Sequence, residues 1–217
     1  MIRWPRTVAE AQRVQTGLRG RLRATGSPRR VHLVAGADCA FSRDGTEIFA
    51  GIVVVSLPEL APVASAWARG PVTFPYVPGY LSFREGPVFL RAAGRLRVRP
   101  DLWLFDGQGI AHPRRFGLAA HMGVLLEAPS VGCAKSRLVG AHVMPGARRG
   151  DWAPLELDGH RVGAVLRTRA GVRPLYVSVG QQMRLPAALR WVLACCRYRV
   201  PEPIRLAEQL VNTVKRR

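Results

Sequence analysis

Three carboxylates occupy places from which a chain can do chemistry. Asp38 follows the largely apolar run Val31 to Ala37, Asp106 follows Leu102 to Phe105, and Glu85 lies three residues after Ser82 at the head of a helical pattern. Carboxylates at the ends of neighbouring strands can converge at one edge of a sheet. Hard oxygen ligands that converge with coordination positions left open suit Mg²⁺, with Mn²⁺ as the alternative. Two such ions about 3.5–4 Å apart can activate a water and stabilise the leaving oxygen of a phosphodiester. Each acid also has a plain structural use. Ser82 with Glu85 fits a capping box, Asp106-Gly107 is a turn dipeptide, and Asp38 can close a strand. Spacing alone leaves both readings open.

The partner implied by bulk charge is a polyanion. Lys plus Arg number 33 against 14 acids, a net charge of +19. Only Lys135 and Lys215 are lysines, so GC-rich coding can have exchanged lysine for arginine, but it does not explain the shortage of acids. Each phosphate that a cation neutralises releases counterions, and nucleic acid is the expected partner. The four cysteines, Cys39, Cys133, Cys195 and Cys196, show no CxxC spacing. That argues against a zinc site and for buried free thiols in a reducing compartment. No apolar run approaches the roughly 20 residues of a membrane span, and Met1 to Ala24 carries arginines throughout in place of a compact apolar core. A soluble, cytoplasmic protein with no membrane contact is expected.

The elements that must position the acids follow from periodicity. Thr7 with Glu10 makes a capping box, and Ala11, Val14, Leu18 and Leu22 recur at helical spacing before a basic stretch that ends near Pro28. The strands Val31 to Asp38 and Ile48 to Leu57 form a hairpin about Asp44-Gly45, and Val63 to Val72 adds a third antiparallel strand. Phe74 to Tyr80 is irregular, since Pro75, Pro78 and Gly79 punctuate it. Helix from Ser82 to Leu96, strand from Leu102 to Phe105, helix from Phe116 to Leu126 and strand from Ser130 to Ala134 come next. A polar connection leads to strands Arg161 to Thr168 and Leu175 to Val179. Helices Leu189 to Tyr198, which takes in Cys195 and Cys196, and Arg205 to Val214 close the chain. An antiparallel trio followed by alternating helices and short buried strands defines an α/β fold with a mixed sheet flanked by helices, in the order of a ribonuclease H-like core. One domain is expected over 1–217, with residues 1–30 as an N-terminal helix and basic linker.

The motifs Val34-Ala35-Gly36-Ala37-Asp38, the run from Phe74 to Glu85 (FPYVPGYLSFRE), the run from Phe105 to Gly117 (FDGQGIAHPRRFG), Val131-Gly132-Cys133-Ala134-Lys135 and Arg199-Val200-Pro201-Glu202-Pro203 resemble the endonuclease V family. The resemblance covers residues 31 to 212 in the family's order and spacing. It implies that Asp38, Glu85 and Asp106 are metal-binding and catalytic acids, and that Lys135 lies near the scissile phosphate. It implies that Tyr76, stiffened by Pro75 and Pro78 and followed by Gly79, wedges into the strand beside a lesion. His112, Arg114 and Arg115 are expected to contact phosphate or shape the lesion pocket, and Gly107 and Gly109 to let backbone approach a flipped base. The implied reaction is hydrolysis of a phosphodiester on the 3′ side of a deaminated purine, inosine or deoxyinosine, typically one nucleotide beyond it, leaving 3′-hydroxyl and 5′-phosphate ends. The implied substrate is DNA, with inosine-containing RNA as a second candidate, and the implied state a monomer without a stable protein partner.

One position departs from the pattern. Where the family has a histidine after the glycine of a late strand, this chain has Gln181, and Pro186 replaces the family's aspartate nearby. A neutral amide cannot titrate as imidazole does. Two readings follow: glutamine holds the same water or phosphate oxygen in a slower or metal-altered nuclease, or the chain binds inosine-containing or branched nucleic acid without cutting. Retention of the acids, Tyr76 and Lys135 favours cleavage, with Gln181→His expected to quicken it.

Overall fold

A computed structural model describes residues 3–216. Helix α1 (Val8–Arg19) opens the chain, and its capping box forms as expected: Thr7 Oγ1 accepts from the Glu10 amide at 3.2 Å, and the Glu10 carboxylate accepts from the Thr7 amide at 3.4 Å. Then come β1 (Leu33–Phe41), β2 (Glu47–Ser56), β3 (Pro62–Pro71), α2 (Leu81–Ala93), β4 (Leu102–Phe105), α3 (Leu118–Leu126) and β5 (Ser130–Ala134). The second half adds β6 (Trp152–Leu157), β7 (His160–Leu166), β8 (Leu175–Val179), α4 (Leu185–Ala194) and α5 (Glu202–Lys215).

All strands join one sheet in the order β3-β2-β1-β4-β5-β8-β7-β6. The pairs β1–β4 and β4–β5 are parallel, and the remaining neighbours are antiparallel. Alternation along the strands gives each face its own core. Val34, Leu102, Leu104 and Val131 pack with Val192 of α4 and Ile204 and Ala207 of α5. Ala35, Ala37, Trp103 and Phe105 pack with Val88 and Phe89 of α2 and Met122 of α3. The α5 side is unusually close: a Cβ on Gly36 would stand 2.0 Å from the Pro203 carbonyl carbon. Only hydrogen fits there.

The expected hairpin and third strand are present. Three expectations change. Residues 152–157, read as connection, form β6, an edge strand in which Pro154 is tolerated because a free edge leaves its missing N–H without consequence. Helix α4 starts at Leu185, with Pro186 in its first turn where no helical amide bond is lost, and stops at Ala194. Cys195 and Cys196 therefore lie just past that helix, and like Cys133 they are buried free thiols, while free Cys39 is half-buried. Among the described residues no helix is long and apolar enough to cross a membrane.

Candidate active site

Asp38 lies inside β1, not at its end as expected: the strand continues to Phe41, and Asp38 stands opposite Gly51 of β2. What ends there is the parallel pairing with β4, whose last partners are Ala37 and Phe105. Asp38 and Asp106 are thus each one residue past that pair, on adjacent strands about 4.8 Å apart. Glu85 enters from α2. That helix begins at Leu81 with Tyr80 as its cap and no side-chain capping bond, so the Ser82–Glu85 box does not form. Ser82 instead shares a 2.8 Å hydrogen bond with His121 Nδ1, and Glu85 is left free of a capping role. The three acids line one cavity of about 260 Å³, walled by Phe89, Phe105 and Leu118.

Crowded carboxylates in a poorly hydrated cavity resist ionising together. Burial, then the charge of Asp106, pushes Asp38 up to about 6. Burial, then Asp38 and Asp106, pushes Glu85 up to about 8. Lys135 relieves part of this, with Nζ 2.8 Å from Asp106 and 3.3 Å from Glu208 of α5. Burial works against its charge, but the hydrogen bond and charge of Asp106 outweigh that and hold the ammonium above its ordinary range. Among the described residues no three His, Cys, Asp or Glu side chains stand close enough, as placed, to grip a single ion. The fit to a divalent cation lies in the donors themselves: oxygen ligands only, mutually repelling and short of positive charge. Asp38, Glu85 and Asp106 are the residues that would hold it.

This electrostatic cost gives a stability prediction. A carboxyl whose folded value is raised penalises folding only where the unfolded chain is ionised. For Glu85 the penalty is absent below about pH 4.5, grows as pH rises, and is complete above about pH 8. Glu85→Gln is expected to be more stable than wild type at pH 8.5 in a chelator, by about 2 kcal/mol after discounting for screening. Urea titrations should show the gain vanish near pH 4.5.

A second cavity, of about 290 Å³, abuts the first, for Asp106 and Leu118 line both. Its walls are the loop Tyr76 to Gly79, the segment containing Gly107, Gln108 and His112, and the run Ala134 to Leu138, which includes Lys135. Tyr76 is 71% exposed at the mouth, beside exposed Pro75 and Pro78. Gly79 has φ +82°, which turns its carbonyl back into the protein. That oxygen accepts from His112 Nε2 at 2.9 Å and from Arg114 Nη2 at 2.7 Å. Since His112 Nδ1 also accepts from the Arg114 amide at 3.1 Å, the imidazole is neutral, and burial followed by Arg114 depresses it to about 4.

Several expected contacts fall elsewhere. The Arg114 guanidinium is engaged on Gly79 and lies 4.0 Å over the Tyr80 ring. Arg115 donates to the Leu157 carbonyl at 2.8 Å and pairs with Asp158 at 3.7 Å. Both brace loops, and neither lines either cavity. Gly107 does line the cavity, but a Cβ on Gly109 would meet the Val179 carbonyl oxygen at 2.1 Å, so that glycine admits β8 and not a base. Gln181 does not join the acids. Register puts it beyond Val179, which pairs with Val131 near the start of β5, whereas Lys135 follows the other end. Its buried Oε1 accepts from the Arg23 amide at 2.7 Å. It pins the N-terminal segment, and the idea that it holds a water or phosphate oxygen, with Gln181→His speeding cleavage, loses its geometric basis. Conversely, Glu208 reaches the rim through Lys135. The sequence shows it only as an acid far along the chain from the others, with its helical register beside buried Ala207 and Val211 as the available signal.

Acids gathered where parallel strands end, with a lysine beside Asp106, are equipment for phosphoryl-ester hydrolysis, and comparison with known proteins puts the chain in that class. A model of the endonuclease V family matches residues 16–209. An endonuclease V from Roseiflexus sp. is 49% identical over 210 residues, covering 96% of this chain and 94% of the relative. Among solved structures, the endonuclease V of Streptomyces avermitilis superimposes with a TM-score of 0.93 at 44% identity, covering 98% of this chain and 95% of that one. The Ciona intestinalis endonuclease V, solved with a 24mer DNA containing an inosine followed by a ribo-adenosine, gives 0.84 at 25% identity, covering 96% and 98%. The chain belongs to the endonuclease V family. Its fold is ribonuclease H-like, and it is a nuclease acting on phosphodiester bonds.

Proposed function

We propose that this nuclease recognises inosine in a nucleic-acid strand, DNA first and RNA second, and hydrolyses the phosphodiester on its 3′ side, one nucleotide beyond the deaminated base. The observation that carries the reading is the sharing of Asp106 and Leu118 between two cavities, one lined by carboxylates and one under the Tyr76 loop. A base seated in the second cavity leaves its strand running past the first. The inosine-containing DNA bound by the Ciona relative supports the same reading.

In this reading Asp38, Glu85 and Asp106 would hold Mg²⁺ or Mn²⁺, which would supply Lewis acidity for the attack of water and charge for the leaving oxygen. Lys135, already beside Asp106, is placed to neutralise the phosphate undergoing attack. Tyr76 fills the gap left by the displaced base. Neutral His112 offers no full charge to the cavity, which suits an uncharged purine edge. A pocket too tight for an exocyclic amino group separates inosine from guanosine.

Stacking of a base on an aromatic ring is worth about 1–3 kcal/mol, so Tyr76→Ala is expected to weaken binding to an inosine oligonucleotide by about 10- to 100-fold. Fluorescence anisotropy in Ca²⁺, with an unmodified strand as control, measures this. Equal losses on both strands, or none, would remove Tyr76 as the wedge.

A further inference from the structure

Helix α1 presents a surface mostly to solvent, and its buried stripe is apolar apart from one residue. Gln15 is only 1% exposed. It follows Val14 and precedes Leu18, at the centre of the face that meets the body. A long amide in such a place is costly unless each of its polar atoms is paired, and here each is. Nε2 donates to the Phe116 carbonyl at 2.8 Å and to the Gly79 carbonyl at 3.3 Å, while Oε1 accepts from Arg114 Nε.

Those partners belong to two of the three walls of the cavity beside Asp106. Gly79 ends the Tyr76 loop. Arg114 and Phe116 end the segment that starts at Asp106-Gly107. No backbone–backbone hydrogen bond among the described residues joins those two walls directly. They meet through side chains, with Gln15, His112 and Arg114 converging on the Gly79 oxygen. His112 and Arg114 reach it from one wall. Gln15 reaches both walls from a third element, α1. The other end of the Tyr76 loop is tied separately, by Arg84 Nη1 donating to the Phe74 carbonyl at 2.7 Å.

We propose that Gln15 is a positioning residue that sets the spacing between the walls of the base cavity, and so the discrimination of inosine from guanosine, through its amide bridge to Gly79, Phe116 and Arg114. It touches no substrate and lines neither cavity. An amide both donates and accepts, and only such a group can bridge two carbonyls and a guanidinium from one position. This inference rests on the reading of the chain as an inosine-directed nuclease.

The test is steady-state cleavage of two oligonucleotides, one with a single inosine and one with guanosine in its place, by wild type, Gln15→Met and Gln15→Glu. Gln15→Met keeps length and loses all polar contacts. Gln15→Glu keeps the acceptor for Arg114 and turns the donor atom into an oxygen that repels the Phe116 and Gly79 carbonyls; circular dichroism selects the variants that are folded before they are assayed. Both are expected to raise KM for inosine at least 10-fold with kcat changed less than 3-fold. The inosine-to-guanosine ratio of kcat/KM should fall at least 10-fold. A merely structural residue would reduce the active fraction, lowering apparent kcat while KM and the ratio stay fixed, and that pattern in the folded variants overturns the proposal. Wild type that shows no preference for inosine would instead overturn the functional reading itself.

Discussion

Replacing Asp38 with asparagine is expected to reduce single-turnover cleavage of an inosine oligonucleotide by about 10³-fold, close to 4 kcal/mol in the barrier. Shape is kept in this substitution, and charge is lost. Asp38 sits one residue past the last parallel pair between β1 and β4, beside Asp106 and facing the same cavity as Glu85. An amide there cannot contribute the negative charge that holds a divalent cation. Binding of the oligonucleotide should change less than about 3-fold, because the residues around Tyr76 are untouched. The variant should also be slightly more stable in chelator above pH 6, where the wild-type carboxylate bears an unfavourable charge. Rapid-quench kinetics with anisotropy on the same preparation separates chemistry from binding. A rate within 10-fold of wild type would show that Asp38 is not a ligand.

Gly36→Ala is expected to destabilise the protein by about 3 kcal/mol or more, at or above the upper end of ordinary overpacking. The reason is the partner of the added methyl. It would lie 2.0 Å from the Pro203 carbonyl carbon and 2.3 Å from the Ile204 nitrogen, both backbone, so no rotamer change relieves the contact. Either β1 or the start of α5 must move. Gly36 is two residues from Asp38, and Glu208 lies one helical turn beyond Ile204, so activity should fall with stability. For a chain of this size the melting temperature should drop by about 10 °C, read by circular dichroism. A drop under 2 °C would mean that α5 is seated more loosely than these contacts require.

The acids and the strands that carry them were legible in the sequence because burial on both faces writes itself as unbroken apolar runs, as in Leu102 to Phe105. The Phe74 to Glu85 and Phe105 to Gly117 motifs carried enough specificity to point to the family. Other features turned on contacts between distant elements, which no periodicity reports. Ser82 and Glu85 match a capping box, but the hydroxyl bonds His121 because α3 packs there. Arg114 and Arg115 read as residues that contact phosphate or shape the pocket, and no sequence pattern shows that their guanidiniums lie on carbonyls of the loops they brace. Gln181 stands where the family places histidine, yet its work is to hold Arg23 at the opposite end of β5 from Lys135. The helical stripe Ala11, Val14, Leu18 passes directly by Gln15, since a glutamine in a helix reads as solvent-facing. Strand β6 was hidden by Pro154 and by the exposed half of an edge strand.

End-labelled strands carrying one inosine, and matched unmodified strands, incubated with Mg²⁺ or with chelator, put the whole account to its most direct trial. Cutting should be confined to the inosine strand, fall at the second phosphodiester on its 3′ side, and stop in chelator. Equal cutting of the unmodified strand, or cutting that persists in chelator and in Asp38→Asn, would contradict it.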